Sequence, residues 1–301
     1  MRPTAPPAAP APAPRRRWPA LAARVARLAV AAAPRATADL VTASYDRVAA
    51  GYDTAWTDHM RGLTLAMLDR LGACAGAEAI DLACGTGFVA EQLGRRTGRR
   101  AVGVDASAGM LDVARRRRGA WADFVRADAA DYLASRPRAS ADVITCGWGL
   151  GYTRPWRVVR EAARVLRPGG RLGLIDNTLF SLAGVLGCSL LVFAERPEAL
   201  VHVMQVRFLP GPRTAAAMLR AAGLGVRAAW GGSKTYAVAT GEEAVARLTE
   251  TGAAAGFEFA ADPAARDAVF ARFAQVMARR CRTPAGVAVT HRYLAAVGVK
   301  P

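Results

Sequence analysis

The segment from residue 79 to residue 88 reads AIDLACGTGF, an apolar strand pattern that runs into a glycine turn and then into a helical pattern. Glycine suits this turn because the chain reverses there with positive φ and because a ligand must approach the backbone closely. An acid, Asp105, follows roughly twenty residues later at the end of the next predicted strand, where a carboxylate can accept hydrogen bonds from ribose hydroxyls. Together these residues predict an α/β fold that binds an adenosine-containing ligand.

The charge beside the turn distinguishes between two kinds of adenosine ligand. The pattern Gly85-x-Gly87-x-x-Ala90 also fits the fingerprint of dinucleotide-binding proteins, and a glycine turn without any ligand is a third interpretation. A carboxylate at Asp81 would repel a pyrophosphate, whereas it would attract the cationic amino and sulfonium groups of S-adenosylmethionine. Asp81 therefore favours S-adenosylmethionine as the cofactor.

Short β-rich runs alternate with helical patterns from residue 79 onward, which is typical of βαβ units and a parallel sheet. The predicted strands are 79–84, 101–105, 124–128, 142–148 and 171–176, and the predicted helices are 88–94, 107–117, 155–166 and 213–222. Two longer runs, 225–239 and 287–299, are interpreted as closing strands with helical segments inserted between them, at 242–251 and 263–280.

Six sequence blocks occur along the chain in an order that bears on its family. They are YDRVAAGYD (45–53), DLACGTG (81–87), GVDAS (103–107), Asp128-Ala129, ITCGWGL (144–150) and EAARVLRPGGRL (161–172). On these blocks the chain resembles the class I methyltransferases and, within them, the ubiquinone and menaquinone biosynthesis C-methyltransferase family. The resemblance implies an α/β fold with a Rossmann-like, mostly parallel seven-stranded sheet, helices on both faces, an antiparallel last strand and a helical cap inserted between the last two strands.

The resemblance also implies a role for each matching position. The implied cofactor-binding residues are Gly85, Thr86 and Gly87 for the methionine part, Asp105 for the ribose, Asp128 and the amide of Ala129 for the adenine edge, Ala106 and Met110 against the adenine ring, and Gly147 beside the cofactor. Tyr45 or Tyr52 would fold over the cofactor as a lid that excludes water. Packing on the sheet is the alternative for the tyrosines, and an ordinary core contact is the alternative for Met110.

The formal net charge of +17 raises the question of an anionic partner such as nucleic acid or a membrane. The basic residues are almost all arginine, with Lys234 and Lys300 the two lysines, and aromatic residues do not accompany them as a stacking platform. At the fourth predicted strand the chain has Cys146-Gly147-Trp148-Gly149 and not the Asn/Asp-Pro-Pro-aromatic stretch that resembles nucleobase N-methyltransferases. These features disfavour nucleic acid and favour a small-molecule or lipid-like substrate, with the oligomeric state left open.

The chain divides into three predicted parts. Residues 1–17 are rich in proline and alanine and end in three arginines, which predicts a disordered tail. Residues 18–60 are predicted to form a helical arm and lid, and residues 61–301 the methyltransferase domain with substrate-cap helices near 241–281. The arm begins as a basic amphipathic helix, for which a packing arm, a membrane-surface anchor and a targeting peptide all remain open.

Two further features bear on location. The five cysteines form no CxxC pair and no metal-ligand spacing with the three histidines, so reduced thiols and no bound metal are expected. The uncharged stretch 178–194 falls short of a membrane span and is interpreted as a buried helix or the lining of an apolar substrate site. We expect a cytoplasmic protein, with peripheral membrane contact through the basic N-terminal helix as an open alternative.

Methyl transfer requires the protein to position the acceptor, exclude water and, where the acceptor atom carries a proton, remove it. His202 is the candidate base because it follows the apolar stretch, and Asp176 at the end of the fifth predicted strand is a comparable catalytic candidate. The predicted function is C- or O-methylation of a quinone, another prenyl lipid or a natural product. The alternatives are an RNA or protein methyltransferase that uses the basic surface, and a non-catalytic cofactor-binding scaffold.

Overall fold

The computed structural model describes residues 15–31, 34–73, 75–252 and 255–301. The tail predicted to be disordered falls at residues 1–17, of which 1–14 lie outside the described residues, as does Cys74. The remaining chain forms one mixed sheet with helices on both faces, together with a helical cap.

The sheet contains a parallel half and an antiparallel half. Its strands are β1 (Ala79–Leu82), β2 (Ala101–Asp105), β3 (Ala122–Arg126), β4 (Ala141–Gly147), β5 (Leu166–Asn177), β6 (Gly225–Val238), β7 (Arg282–Thr283) and β8 (Gly286–Val299). They are ordered β3-β2-β1-β4-β5-β8-β6, with β7 paired to β8. The first five strands are parallel, and β8 runs antiparallel to both of its long neighbours, β5 and β6.

The helices cover both faces of this sheet. They are α1 (Trp18–Ala31), α2 (Pro34–Val48), α3 (Asp58–Leu71), α4 (Phe88–Thr97), α5 (Ala108–Arg118), α6 (Ala129–Ser135), α7 (Pro155–Val165), α8 (Ala183–Glu195), α9 (Pro212–Ala221), α10 (Gly241–Glu250) and α11 (Arg266–Arg280). Met67 of α3 and Leu93 of α4 are buried in the core on one face, and Val158 of α7 and Leu219 of α9 in the core on the other. All four residues of β1 are buried, as expected for a central parallel strand covered on both sides.

This architecture confirms the predicted fold class, including the antiparallel last strand and the helices α10 and α11 between the last two long strands. The strand count of seven is corrected to eight in the described part of the chain, because β7 adds a two-residue pairing at the start of β8. Residues 284–285 join the two strands, and Gly286 at the start of β8 has φ +117°, with a Cβ there 2.3 Å from the carbonyl oxygen of Val238 on β6. The sequence did not predict β7 because a two-residue strand is too short to show a hydrophobic period.

The cap is a second apolar cluster, built mainly from α8, α10 and α11. Its buried members include Val185, Leu248 and Met277, and Leu21 of α1 joins them. The guanidinium Nε of Arg24 donates a hydrogen bond of 2.8 Å to the carbonyl oxygen of Leu200. The N-terminal helix α1 therefore packs against the cap. None of the helices in the described ranges has the length and apolar character needed to cross a membrane.

The antiparallel pair β6 and β8 extends beyond the parallel strands. The last residue of β5, Asn177, pairs with Tyr293, whereas β8 residues 287–292 continue to pair with β6 residues 233–238. A two-stranded ribbon thus projects past the carboxyl ends of the parallel strands, which is the edge where open α/β sheets bind their ligands.

Candidate functional site

Two adjoining cavities form a groove at the carboxyl ends of β1, β2 and β4. The larger, about 790 Å³ and open to solvent, lies toward β2 and α6, and the smaller, about 400 Å³, lies toward α3 and the β1 turn. Both cavities are lined by Tyr52, Ala83, Gly147 and Trp148. The groove has the size and concave form of a small-molecule site.

The turn after β1 has a backbone conformation that glycine permits. Gly85 and Gly87 both have positive φ, +54° and +88°, and a Cβ on Gly87 would lie 2.7 Å from the ring of Phe124. Trp148, in the loop after β4, also has positive φ, +62°, which is costly for a bulky side chain. Its indole Nε1 donates to the hydroxyl of Thr64 at 2.9 Å, which holds the ring across the groove. Strained backbone of this kind concentrates at ligand sites.

Asp105 at the end of β2 is fixed beside this turn. The amide of Gly85 donates to its Oδ2 at 2.8 Å, and the amide of Ser107 donates to its Oδ1 at 2.9 Å. The carboxylate lines the larger cavity, and burial raises its pKa. Because each carboxylate oxygen can accept two hydrogen bonds, both oxygens retain capacity for ligand hydroxyls.

The far end of the larger cavity is formed by the β3 end and the start of α6. Asp128 caps α6, since its Oδ1 accepts the amide hydrogens of Ala130 at 2.8 Å and Asp131 at 3.0 Å. Predicted residues from three elements line this same cavity, namely Ala106, Met110, Asp128 and Ala129. Met110 is almost fully buried and also belongs to a small apolar cluster with Ala49 and Val113, so it serves core packing as well as the cavity wall.

Asp81 lies at the base of the smaller cavity and is 1% exposed. Its Oδ1 accepts the hydroxyl hydrogen of Thr145 at 2.7 Å, while its buried Oδ2 has no hydrogen-bond partner among the described residues. Burial raises the pKa of this carboxyl to about 7, although the Thr145 hydrogen bond opposes the shift. A buried carboxylate oxygen left without a donor suits a cationic ligand group.

Thr86 is placed differently from its neighbours in the turn. It lines the smaller cavity, but its hydroxyl donates to Oδ1 of Asp53 at 2.6 Å. Asp53 also forms ion pairs with Arg117 at 2.8 Å and with Arg118 at 2.9 Å. Burial alone would raise the pKa of Asp53, but the Thr86 hydrogen bond and the Arg118 charge outweigh it and lower the pKa. Thr86 therefore joins the turn to the segment that precedes α3.

That segment and α2 cover the groove. Tyr45 and Tyr52 both line the larger cavity, with ring centroids 5.9 Å apart in an edge-to-face arrangement. Asp46 accepts the hydroxyl hydrogen of Ser107 at 2.5 Å and the amide hydrogen of Gly109 at 2.8 Å. The tyrosines therefore lie over the groove while the aspartate that follows each of them attaches the lid to the core.

Sequence reasoning singled out Tyr45 and Tyr52, which line the larger cavity, but missed the contacts that Asp46 and Asp53 make with the core. The signal was present, because the dipeptide Tyr-Asp occurs twice with a spacing of seven residues. The two copies do not share one helix, because α2 ends at Val48 and residues 49–51 form a turn before the helical segment Asp53–Thr57.

The two predicted catalytic residues do not line the groove. Asp176 is buried, and its oxygens accept the amide hydrogens of Gly151 and Asn177, each at 2.7 Å. Burial raises its pKa to about 7. His202 lies in the segment after α8, and its buried Nε2 has no partner among the described residues. The structure therefore separates these two residues from the predicted cofactor-binding residues, which it brings together around the groove.

A third cavity, here called the cap cavity, lies between α8, α10, α11 and the segment 206–208. Its volume is about 1080 Å³, and its walls are mostly apolar, including Leu182, Val185, Leu248, Phe270 and Phe273. The uncharged stretch 178–194 supplies much of this lining. Phe208 of the cap cavity packs edge-on against Tyr152 of the groove, with ring centroids 5.2 Å apart. One pair of aromatic rings thus stands between the groove and the cap cavity.

Comparison with known proteins agrees with this geometry. Residues 80–174 match the model of a methyltransferase domain family. The chain is 32% identical over 169 residues to the demethylmenaquinone methyltransferase of Thermus thermophilus, covering 49% of this chain and 74% of that protein. It is 38% identical over 120 residues to methyltransferase GfsG of Streptomyces halstedii, covering 38% of this chain and 42% of that protein.

The chain spans less than half the length of several other curated relatives, among them quinone methyltransferases. Among solved structures, the YcgJ protein of Bacillus subtilis superposes with a TM-score of 0.54 at 18% identity, covering 79% of this chain and 98% of that one. This structural likeness supports the fold. Together with the matched domain and the relative covered over most of its length, it establishes that the chain belongs to the class I S-adenosylmethionine-dependent methyltransferases.

Proposed function

We propose that this enzyme transfers a methyl group from S-adenosylmethionine to carbon or oxygen of a small, lipid-like organic molecule. The observation that carries the proposal is the apolar cap cavity of about 1080 Å³ next to the groove. Such a cavity favours an acceptor with a substantial hydrocarbon part, since burying apolar surface supplies the binding free energy. The relatives named for demethylmenaquinone point in the same direction, and GfsG keeps a natural-product acceptor open.

The groove fits the proposed donor at several points. The unpartnered Oδ2 of Asp81 would accept a hydrogen bond from the cationic amino group, and Asp105 would accept hydrogen bonds from the ribose hydroxyls. Asp128 and the amide of Ala129 would contact the adenine edge at the far end. When bound, the donor supplies an electrophilic methyl group on a sulfonium sulfur. The protein's own contribution is to orient both molecules, with Tyr45 and Tyr52 excluding water.

The cap cavity would hold the acceptor's hydrocarbon part near this donor site. Its wall also contains Glu258, whose Oε1 accepts hydrogen bonds from the hydroxyl of Ser44, at 2.5 Å, and from Arg47. Ser44 and Arg47 both belong to α2, so their hydrogen bonds to Glu258 connect the lid to the cap. Asp176 and His202 stay candidates for proton removal, Asp176 because it directly precedes Asn177 in the cap-cavity wall.

We also propose that the cap face rests on an anionic membrane surface, from which a lipid-like acceptor would enter. Three apolar side chains on or beside α8 are about half exposed: Leu179 at 50%, Phe180 at 56% and Leu190 at 50%. Leu179 also lines the cap cavity. Helix α1 packs against α8 and carries arginines but no acidic residue, which suits anionic headgroups.

Flotation with phosphatidylglycerol vesicles tests the membrane proposal. The wild-type protein should float with the vesicles at low salt, and Phe180→Ser combined with Leu190→Ser should stay in the dense fraction. Equal flotation of both proteins, or none for the wild type, would refute the docking surface.

The function itself is tested by incubating the protein with methyl-labelled S-adenosylmethionine and fractionated cell metabolites. Label in a lipid-soluble product, identified by mass spectrometry, is the expected result. Label in RNA or protein would overturn the acceptor class, as would salt-sensitive retention on RNA. Tight binding of S-adenosylhomocysteine without label in any fraction would instead indicate a non-catalytic scaffold.

A further inference from the structure

Four polar rings meet where α3 packs against the β6–β8 ribbon. They belong to Trp56, His59, Tyr236 and His291, and we call them the ring cluster. His291 is central: its ring centroid lies 5.2 Å from Trp56, 6.0 Å from Tyr236 and 6.2 Å from His59. His59 and Tyr236 are 5.4 Å apart, edge to face. The ring cluster includes two of the three histidines of the chain, and the donor groove does not use either of them.

Each ring of the cluster carries a buried polar atom without a hydrogen-bond partner among the described residues. These atoms are Nε1 of Trp56, Nε2 of His59, the hydroxyl of Tyr236 and Nδ1 of His291. Buried polar groups are ordinarily hydrogen-bonded, because leaving one unpaired forfeits its interaction with water. His291 is 1% exposed, so bulk water does not satisfy it. Four such atoms on adjoining rings leave hydrogen-bonding capacity that a polar ligand group could satisfy.

The charged side chains that act on the ring cluster are cationic. Lys234 of β6 donates a hydrogen bond to the backbone oxygen of His59, and the guanidinium of Arg247 on α10 lies 4.5 Å from the centroid of the Tyr236 ring. Burial, Lys234 and Arg247 together lower the pKa of His59 to about 4, and burial and His59 lower the pKa of His291 to about 4. Both imidazoles are therefore neutral near pH 7 and can accept a hydrogen bond. Neutral acceptors among fixed positive charges suit a ligand group that loses a proton to become an anion.

The ring cluster lies between the donor end of the groove and the cap. Trp56 lines the smaller cavity together with Asp81, and its ring also packs edge-on against Trp148 at 5.5 Å. On the other side, Tyr236 packs on the apolar cluster of the cap, whose members Val185 and Leu248 line the cap cavity. None of the four rings is among the residues that line the cap cavity, so a polar ligand group would meet the ring cluster from the groove, at Trp56.

We propose that the ring cluster binds an acidic hydroxyl of the methyl acceptor, a phenol or an enol, and stabilises its anion. The inference rests on the proposed function and specifies its acceptor class. His291 Nδ1 accepts the hydrogen bond of the O–H group, the proton passes to water, and Lys234 and Arg247 stabilise the oxyanion that is left. The new bond to the methyl carbon forms from the electron pair of that oxygen or of its conjugated carbon. The S–CH₃ bond breaks with its electrons left on sulfur, and after attack through a phenol carbon the proton of that carbon moves to the oxygen.

An alkylated nitrophenol tests this site independently of turnover, because its absorbance reports ionisation. The probe is 4-nonyl-2-nitrophenol, with its methyl ether as the control ligand. Bound to the wild-type protein, the phenol should ionise at a pH about one unit below its value in buffer, since tenfold tighter binding of the anion gives that shift. The methyl ether should bind more weakly than the phenol.

Three variants remove single parts of the site: His291→Asn, Tyr236→Phe and Lys234→Met. Each should cut the shift in the probe's ionisation by at least half while leaving S-adenosylhomocysteine affinity unchanged. The matched controls are Tyr132→Phe on α6 and Arg227→Met at the other end of β6, and both should retain the full shift. Thermal melting of every variant identifies any that fails to fold, and the Lys234 and Tyr236 variants keep the test available if the His291 variant does so.

The outcomes separate this inference from the proposed function. If the probe ionises as in buffer, or if phenol and methyl ether bind equally, the ring cluster is not an oxyanion site even where methyl transfer is found. If the ionisation shift is seen and is lost in the variants, but no lipid fraction is labelled, the site stands and the proposed function fails. Loss of the shift in His202→Asn or Asp176→Asn, with His291→Asn unaffected, would move the anion site from the ring cluster to those residues.

Discussion

Replacing Asp81 by asparagine should stabilise the free enzyme and weaken its hold on the donor. In the wild-type protein, burial raises the pKa of this carboxyl from 3.8 to about 7. The folded protein therefore binds the Asp81 proton more tightly than the unfolded chain. The associated stability is fully present below pH 3.8 and is lost as the pH rises toward 7. Above that pH the buried charge is carried in full, with its Oδ2 unpaired.

The size of the effect follows from the shift. At about 1.4 kcal/mol per pKa unit, Asp81→Asn should raise the free energy of unfolding by roughly 4 kcal/mol at pH 8 and about 2 kcal/mol at pH 5. The side chain is 1% exposed, so solvent screening leaves this value largely intact. The asparagine can still accept the hydrogen bond from Thr145. Asp112→Asn, at an exposed position on α5, is the matched control and should change stability little.

Donor affinity should change in the opposite direction. Loss of a charge-assisted hydrogen bond to the cationic amino group should weaken S-adenosylhomocysteine binding by about 1.5 to 3 kcal/mol, measured by titration calorimetry at pH 8. Urea unfolding at pH 5 and pH 8 gives the stability half of the prediction. Equal affinity in the variant would remove Asp81 from the donor site. Equal unfolding free energies at pH 8 would show that the buried carboxylate carries no such penalty.

Three further outcomes are expected. Asp105→Ala should weaken S-adenosylhomocysteine binding by about 1 to 3 kcal/mol in calorimetry, whereas Asp123→Ala at an exposed position on β3 should not; equal losses would contradict the ribose assignment. Asp53→Asn should raise the dissociation constant about tenfold through faster ligand release in stopped-flow measurements, and an unchanged release rate would show that the lid needs no anchor there. Cys188 and Cys281, with sulfurs 3.8 Å apart, should be joined by a thiol oxidant such as diamide, and peptide mapping without reductant that found both thiols free would rule this out.

The donor groove was predictable because its signals are local. One strand–turn–helix–strand unit of the sequence contains the turn at Gly85 and Gly87 and the acid at Asp105. The structure brings these residues together with Asp81 and Asp128 around two adjoining cavities. The resemblance supplied the lid tyrosines. Each of these residues could be placed from neighbours within a few tens of positions along the chain.

The ring cluster could not be predicted in this way. His59 and His291 come from α3 and β8, near opposite ends of the domain, and the sequence around each carries no motif. His202 was preferred as the base because it follows the apolar stretch 178–194. The position of a residue along the chain does not determine which cavity its side chain lines. The uncharged stretch 178–194 indicated one wall of the cap cavity. The opposite wall comes from α10 and α11, whose pairing depends on tertiary packing.

Helix α2 is held from two sides. Asp46 connects it to the loop after β2, and Ser44 and Arg47 connect it to Glu258 in the cap-cavity wall. A displacement of this helix that admits or releases one ligand must therefore disturb the walls of both binding sites. We therefore expect the two sites to be coupled, in which case occupancy of either changes affinity at the other by the same factor. Steady-state kinetics should accordingly show ordered or synergistic binding rather than two independent Michaelis constants.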